Sequence, residues 1–197
     1  MAEDAFVKAL KRRLQIWPVR SRGEQLYPRP AQSIRLYWRG DLMSTIQGSL
    51  ELLNDPIAQE LLRSNIPARL AYVGPDGTPR VIPIWYHWNG SNFVLATPPK
   101  APKLKALRAH PKVALTIDDN TFPHKVLMVR GTASLEEVDG IVPEYALAAT
   151  RYFGEAQGAA WVKQMRQVVN SMIRISVRPE WVGILDFESR FPSAVSS

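Results

Sequence analysis

The 197-residue chain contains no cysteine, which excludes disulfides, thiolate metal sites, iron–sulfur clusters and cysteine nucleophiles. It has no apolar run approaching ~18 residues, so the sequence predicts no membrane-spanning helix. The N-terminus carries charges where a signal peptide needs an apolar stretch, and we therefore expect a soluble, cytoplasmic protein. The three histidines, at positions 87, 110 and 124, are isolated and lack the spacing of metal ligands. No metal site is predicted.

Positive charge is concentrated at the start of the chain. The formal net charge is +7, and residues 1–40 hold nine Lys/Arg against three acidic residues. A nucleic-acid-binding function would depend on this segment, where aromatic residues lie among the basic ones. The segment contains no recognised nucleic-acid-binding module, so nucleic acid is a less favoured partner.

The chain divides into three parts by composition and periodicity. Residues 1–42 show scattered prolines and no clear hydrophobic period, which predicts a basic, poorly ordered extension. Met43 is an alternative start codon, in which case the extension would not be translated. Residues 43–190 are predicted to form the folded domain, and residues 191–197 a C-terminal tail.

Turn signals and apolar runs predict a mostly β fold with flanking helices. The Gly-Pro-Asp-Gly sequence at 74–77 and Asn-Gly at 89–90 are typical of hairpin turns. Helices are predicted at 49–64, 103–110 and, as a pair broken near Gly154, 141–169. Because most strands follow one another through short turns, we expect a six-stranded antiparallel barrel over residues 67–187. Seven extended segments are predicted, one more than the strands of the expected barrel, and they are 67–73, 81–88, 93–96, 113–117, 126–135, and a final pair at 172–177 and 181–187.

Several cationic and hydroxyl side chains are predicted to lie near the start of the 103–110 helix. A helix N-terminus has unpaired N–H groups and a positive dipole end, both of which attract phosphate. Lys100, Lys103, the Thr97 hydroxyl and Arg80 from the neighbouring strand would together form an anion-binding site. The alternative is that these lysines only solvate an exposed helix.

The aromatic run Trp85-Tyr86-His87-Trp88 also has two interpretations. Alternate residues of a strand face opposite ways, so Trp85 and His87 share one face and Tyr86 and Trp88 the other. Large rings on both faces favour a dimer interface or a planar ligand. Ordinary packing within the barrel explains the same residues.

Four segments resemble the pyridoxamine 5′-phosphate oxidase-like superfamily. They are RLAYVGPDGTPRVIPIWYHWNG at 69–90, ATPPKAPKLKALRAHPKVALTID at 96–118, MVRGTASLE at 128–136 and ISVRPEWVGILDF at 175–187. The resemblance covers roughly residues 50–190. It implies a split β-barrel and a flavin- or deazaflavin-dependent oxidoreductase.

The resemblance also implies a set of cofactor-binding residues. Arg80, Thr97 and Lys103 match positions that hold the cofactor phosphate in the family. Pro102 replaces an arginine of the family motif, and Lys100 is expected to compensate for it. A lysine of the oxidase falls on Trp85 or Tyr86. A glutamine of the family falls on Lys125. The implied cofactor-binding residues are Arg80, Val81, Ile82, Pro83, Ile84, Trp85, Ala96, Thr97, Lys100, Lys103 and Lys125.

The implied cofactor is FMN, with the deazaflavin coenzyme F420 as the alternative. Hydride transfer would then be the chemistry of the cofactor, and no catalytic side chain is assigned. The substrate-binding His and Arg residues of the oxidase have no clear match, which argues against pyridoxamine phosphate and leaves an unknown small organic substrate. The resemblance implies a homodimer. A non-enzymatic module that binds flavin or haem remains the competing function.

Overall fold

The computed structural model describes residues 47–188. The predicted extension at 1–42, with its proposed nucleic-acid-binding residues, and the predicted tail at 191–197 lie outside this range. Four α-helices and seven strands follow one another along the described chain. They are α1 Pro56–Arg63, β1 Ala68–Val73, β2 Pro79–Ile84, β3 Tyr86–Trp88, β4 Phe93–Thr97, α2 Lys103–Ala109, β5 Lys112–Asp118, β6 Lys125–Asp139, α3 Pro143–Phe153, α4 Glu155–Val168 and β7 Ser171–Asp186. None of these helices is long and apolar enough to cross a membrane.

The helix predicted at 49–64 is broken into two pieces. A 3-10 helix spans Leu50–Asn54 and α1 follows it. The break lies at Asp55, whose backbone is extended (φ −61°, ψ 139°) because a residue before proline disfavours the helical conformation. The Asp55 side chain accepts a hydrogen bond from the Ile57 N–H at 2.9 Å and so caps α1.

The seven strands form one antiparallel sheet in the order β2-β1-β5-β6-β7-β4-β3. The expected antiparallel pairing is confirmed, but the expected six strands are wrong. The strand predicted at 81–88 is divided at Trp85, because its first half pairs with β1 and its second half with β4. Both predicted hairpin turns are present, with glycines at positive φ at Gly77 (77°) and Gly90 (92°).

The predicted final strand pair is instead a single strand, β7, of 16 residues. Pro179 lies between the two predicted segments, at a β-bulge where the register with β6 shifts between Arg130 and Gly131. A bulge tolerates proline because it does not require the missing ladder hydrogen bond. A Cβ atom at Gly131 would overlap the carbonyl oxygen of Arg178, so the close approach of the two backbones requires glycine.

One face of the sheet carries the main hydrophobic core. α1, α2 and the 3-10 helix cover this face with buried leucines, among them Leu52, Leu61 and Leu104. The helices α3 and α4 form a hairpin that turns at Gly154 (φ 81°), as the sequence predicted. α3 packs against β3 and β4, and this contact places the helical hairpin beside the junction of β2 and β3.

Candidate cofactor site

Lys103 and Thr97 meet across the turn that joins β4 to α2. Thr97 is the last residue of β4 and its side chain is buried. The intervening residues wind back on themselves, with the Ala101 N–H donating to the Pro98 carbonyl at 3.1 Å. Lys103 is the first residue of α2, and its Nζ donates a hydrogen bond to Thr97 Oγ1 at 2.8 Å. The structure therefore brings together two of the predicted phosphate-binding residues.

Lys103 is a half-buried cation without a matching anion. Burial lowers the pKa of its ammonium below the ordinary lysine value. Among the residues that the structure describes, no carboxylate lies within ion-pair distance of it. A buried charge is normally paired, because removing it from water is costly. A phosphate at this position would supply the missing charge, so the residues present fit a phosphorylated cofactor.

In the structure, Arg80 and Lys125 each form an ion pair with a carboxylate. Arg80 Nη2 lies 2.9 Å from Asp76 Oδ2 in the turn before β2. Hydrogen bonds from Thr78, with a smaller contribution from Arg80, lower the pKa of Asp76 to about 2. Lys125 Nζ lies 2.7 Å from Glu60 Oε2 of α1, and this hydrogen bond raises the pKa of Lys125. Among the described residues 47–188, neither Arg80 nor Lys125 forms a hydrogen bond or an ion pair with Lys103 or Thr97.

The apolar residues predicted to line the site divide between two faces of β2. Ile82 and Ile84 are partly buried and pack on the main core. Val81, 62% exposed, and Pro83 lie on the opposite face. Of the three remaining predicted residues, Ala96 is partly buried in β4, Lys100 is exposed in the turn before α2, and Trp85 lies between β2 and β3.

The sequence of the protein matches one family profile over most of the folded region. The profile described as pyridoxamine 5′-phosphate oxidase matches residues 54–184. The chain belongs to this family. The resemblance noted from the sequence is thereby confirmed, and no curated protein matches the chain.

Two solved structures show the fold of this pyridoxamine 5′-phosphate oxidase family member. A protein named F420 reductase is 29% identical to the chain, with a TM-score of 0.50 over 64% of this chain and 94% of its own. A conserved hypothetical protein from Mycobacterium tuberculosis is 21% identical, with a TM-score of 0.54 over 68% of this chain and 84% of its own. These similarities show the split-barrel fold of the family, as expected.

Trp85, one of the two positions where the resemblance places a lysine of the oxidase, lies in an aromatic cluster of this family member. We name the Trp85 cluster after its central ring, which stacks on Tyr152 with centroids 5.0 Å apart and an interplanar angle of 16°. The other rings come from the helical hairpin, and they are Tyr145, Phe153 and Trp161. The ring contacts of Trp85 within the chain are thus all with these residues of α3 and α4 in the described part of the molecule. The aromatic residues of α3 and α4 were the available sequence signal for this cluster.

Arg151 holds the same region together from α3. Its guanidinium donates to the backbone carbonyls of Leu62 at 3.2 Å and Tyr86 at 2.5 Å, and it lies 4.3 Å over the Tyr86 ring. Its Nε is buried and has no hydrogen-bond partner among the described residues. Burial, with a smaller contribution from Arg151, lowers the pKa of His87. Nothing in the sequence pattern indicated Arg151, because its partners lie 65 and 89 residues away.

The described residues contain no group of three or more histidine or acidic side chains that could hold a metal ion.

Proposed function

We propose that the protein is an oxidoreductase that binds FMN, with coenzyme F420 as the alternative cofactor, and acts on a small organic substrate. Membership of the pyridoxamine 5′-phosphate oxidase family supports a flavin-type cofactor. The 29% identity to a protein named F420 reductase keeps the deazaflavin as the alternative. Both cofactors carry a phosphate, which is the chemical group that the site suits.

The observation that carries the proposal is the half-buried Lys103, bonded to a buried hydroxyl and to no described carboxylate. Lys103 and Thr97 would hold the cofactor phosphate, the lysine by charge and the threonine by its hydroxyl. Lys100 would add positive charge at the open side of the turn. When bound, a flavin or deazaflavin supplies hydride transfer. The strand β2 would position its ring.

The test is a spectroscopic titration of the purified full-length chain with FMN, coenzyme F420 and haem in turn. We expect saturable binding of FMN or coenzyme F420, followed by reduction of the bound cofactor and its reoxidation by an organic acceptor. Saturable binding of haem alone would contradict it. Cofactor binding with no turnover on any acceptor would favour a binding module over an enzyme.

We also propose that the protein is a homodimer, joined through the outer face of β1 and β2. Val81 is 62% and Val73 36% exposed on this face. Beside them lies an open, mostly apolar groove of about 410 Å³, whose wall includes Ala71 and Ala114. Contiguous exposed apolar surface is typical of protein–protein contacts. Sedimentation of the wild type and of Val81→Glu tests the proposal. We expect the wild type to sediment as a dimer and Val81→Glu as a monomer. A wild type that sediments as a monomer would refute the proposal.

A further inference from the structure

A second groove, of about 300 Å³, lies on the helical hairpin formed by α3 and α4. Phe153 at the end of α3 forms one wall. The other four lining residues recur at helical spacing along one face of α4, and they are Gln157, Ala160, Trp161 and Gln164. Neither the family match nor the predicted cofactor residues include an assignment for this groove.

The two aromatic walls of the groove are fixed in place by the Trp85 cluster. Trp161 Nε1 donates a hydrogen bond to the Tyr145 hydroxyl at 2.8 Å, which sets the orientation of the indole. Trp161 and Phe153 contact each other edge-on, and both rings also contact Trp85. Preorganised rings lose little conformational entropy when a ligand stacks on them. The groove therefore has rigid aromatic walls, and part of the Phe153 ring is exposed to solvent.

None of the described residues that line the groove is ionisable. Apart from the Trp161 N–H, which bonds to Tyr145, their polar side-chain groups are the carboxamides of Gln157 and Gln164, and each can both donate and accept hydrogen bonds. A charged ligand would lose hydration there without gaining an opposite charge. Aromatic faces favour stacked or edge-on rings. The lining chemistry thus suits a flat, uncharged aromatic compound with a hydrogen-bonding edge, and the volume accommodates two fused rings.

The groove is also next to the strand on which the proposed function depends. Trp85, which contacts both aromatic walls, directly follows Ile84 at the end of β2. β2 is the strand expected to position the cofactor ring. Trp85 is therefore a neighbour of both the groove and the end of β2.

We propose that this groove binds the substrate of the enzyme, and that the substrate is a flat, uncharged aromatic compound. The inference rests on the proposed oxidoreductase function. The family name would suggest a phosphorylated substrate, whereas we propose a neutral one. A phosphate needs cations, and the described walls of the groove provide aromatic rings and carboxamides instead.

Calorimetric titration of the full-length protein with 2-naphthamide and with 2-naphthoate tests the proposal. The two probes have the same rings and differ in charge. We expect the amide to bind at least about tenfold more tightly than the carboxylate, since the groove has no cation for the carboxylate. Equal affinities, or a preference for the carboxylate, would overturn the proposal.

Two variants locate the binding. Phe153→Ala removes a wall of the groove, and we expect it to weaken 2-naphthamide binding. Phe122→Ala is the matched control, because Phe122 is a 73% exposed ring that contacts His124 away from the hairpin. Circular dichroism checks that both variants fold. Binding that survives Phe153→Ala, or is lost only in Phe122→Ala, would contradict the assignment.

Cofactor binding is measured separately by flavin absorbance, so the two proposals can fail independently. Flavin binding without 2-naphthamide binding would refute the groove and leave the proposed function standing. Binding of 2-naphthamide at the groove without any flavin or deazaflavin binding would refute its role as a substrate site together with the proposed function.

Discussion

The Nζ atom of Lys103 donates a 2.8 Å hydrogen bond to Oγ1 of Thr97, across the turn between the last residue of β4 and the first residue of α2. Thr97 is buried and Lys103 is half-buried, so this bond fixes an ammonium group at the edge of the core. No described carboxylate neutralises it. The proposed phosphate site depends on this pair.

Replacing Lys103 with alanine should weaken FMN binding. A charge-assisted hydrogen bond contributes about 1.5–3 kcal/mol, which corresponds to a loss of about 10- to 100-fold in affinity. Lys105→Ala is the matched control, because Lys105 is exposed on a different side of the same helix. Fluorescence titration of flavin measures both variants. If Lys105→Ala lost the cofactor while Lys103→Ala bound like the wild type, the assignment of the site would be wrong.

FMN affinity should fall as the pH rises. Burial lowers the pKa of Lys103 below 10.5, and only the protonated ammonium attracts the phosphate. The decrease should therefore begin at a lower pH than for an ordinary lysine. Lys103→Arg should flatten the profile, since arginine stays protonated. Dissociation constants measured from about pH 7 to about pH 9.5 test this, and parallel profiles for the two proteins would contradict it.

Arg151→Met should destabilise the fold. It removes two hydrogen bonds from a charged donor, to the backbone carbonyls of Leu62 and Tyr86, and a hydrogen bond to a charged group contributes about 1.5–3 kcal/mol. We expect a loss of about 2–4 kcal/mol in the free energy of unfolding, measured by urea denaturation. Arg63→Met is the control, because Arg63 is exposed and, in the described part of the chain, its hydrogen bond is to the Gln59 carbonyl of its own helix. Equal losses in the two variants would show that Arg151 does not tie these elements together.

Acidification should destabilise the protein partly through His87. Burial, and to a lesser extent Arg151, lowers the pKa of His87 below its ordinary value of 6.5. The unfolded chain then binds more protons than the folded chain between those two pKa values, so stability is lost as the pH falls through this window. His87→Gln should show a smaller loss in urea denaturation between about pH 7 and about pH 5. His110→Gln, at an exposed histidine, should behave like the wild type.

Local features of the fold were predictable because they depend on neighbouring residues. The turns at Gly77 and Gly90 need positive φ, and the sequence around each provides it. The break at Gly154 was predicted for the same reason. The division of the β2–β3 run at Trp85 was not, because it depends on which distant strand each half pairs with.

The candidate site was predictable only where its residues are close in the sequence. Lys103 and Thr97 are six residues apart and meet as expected. The partner of Lys125, Glu60, is 65 residues away, and no local pattern could indicate that ion pair. The hydrogen bonds of Arg151, and the ring contacts between Trp85 and the helical hairpin, likewise join residues that are far apart in the sequence. Charge and spacing therefore identified the candidate cations, but they could not show which of those cations form an ion pair with a distant carboxylate.

The most direct test of the central claim compares FMN with riboflavin, which has the same ring system and no phosphate. We expect the wild-type protein to bind FMN at least about tenfold more tightly than riboflavin, and Lys103→Ala to abolish most of this difference while riboflavin binding changes little. Equal affinity of the wild type for the two compounds would show that Lys103 and Thr97 hold no phosphate, as would a full preference for FMN that persists in Lys103→Ala.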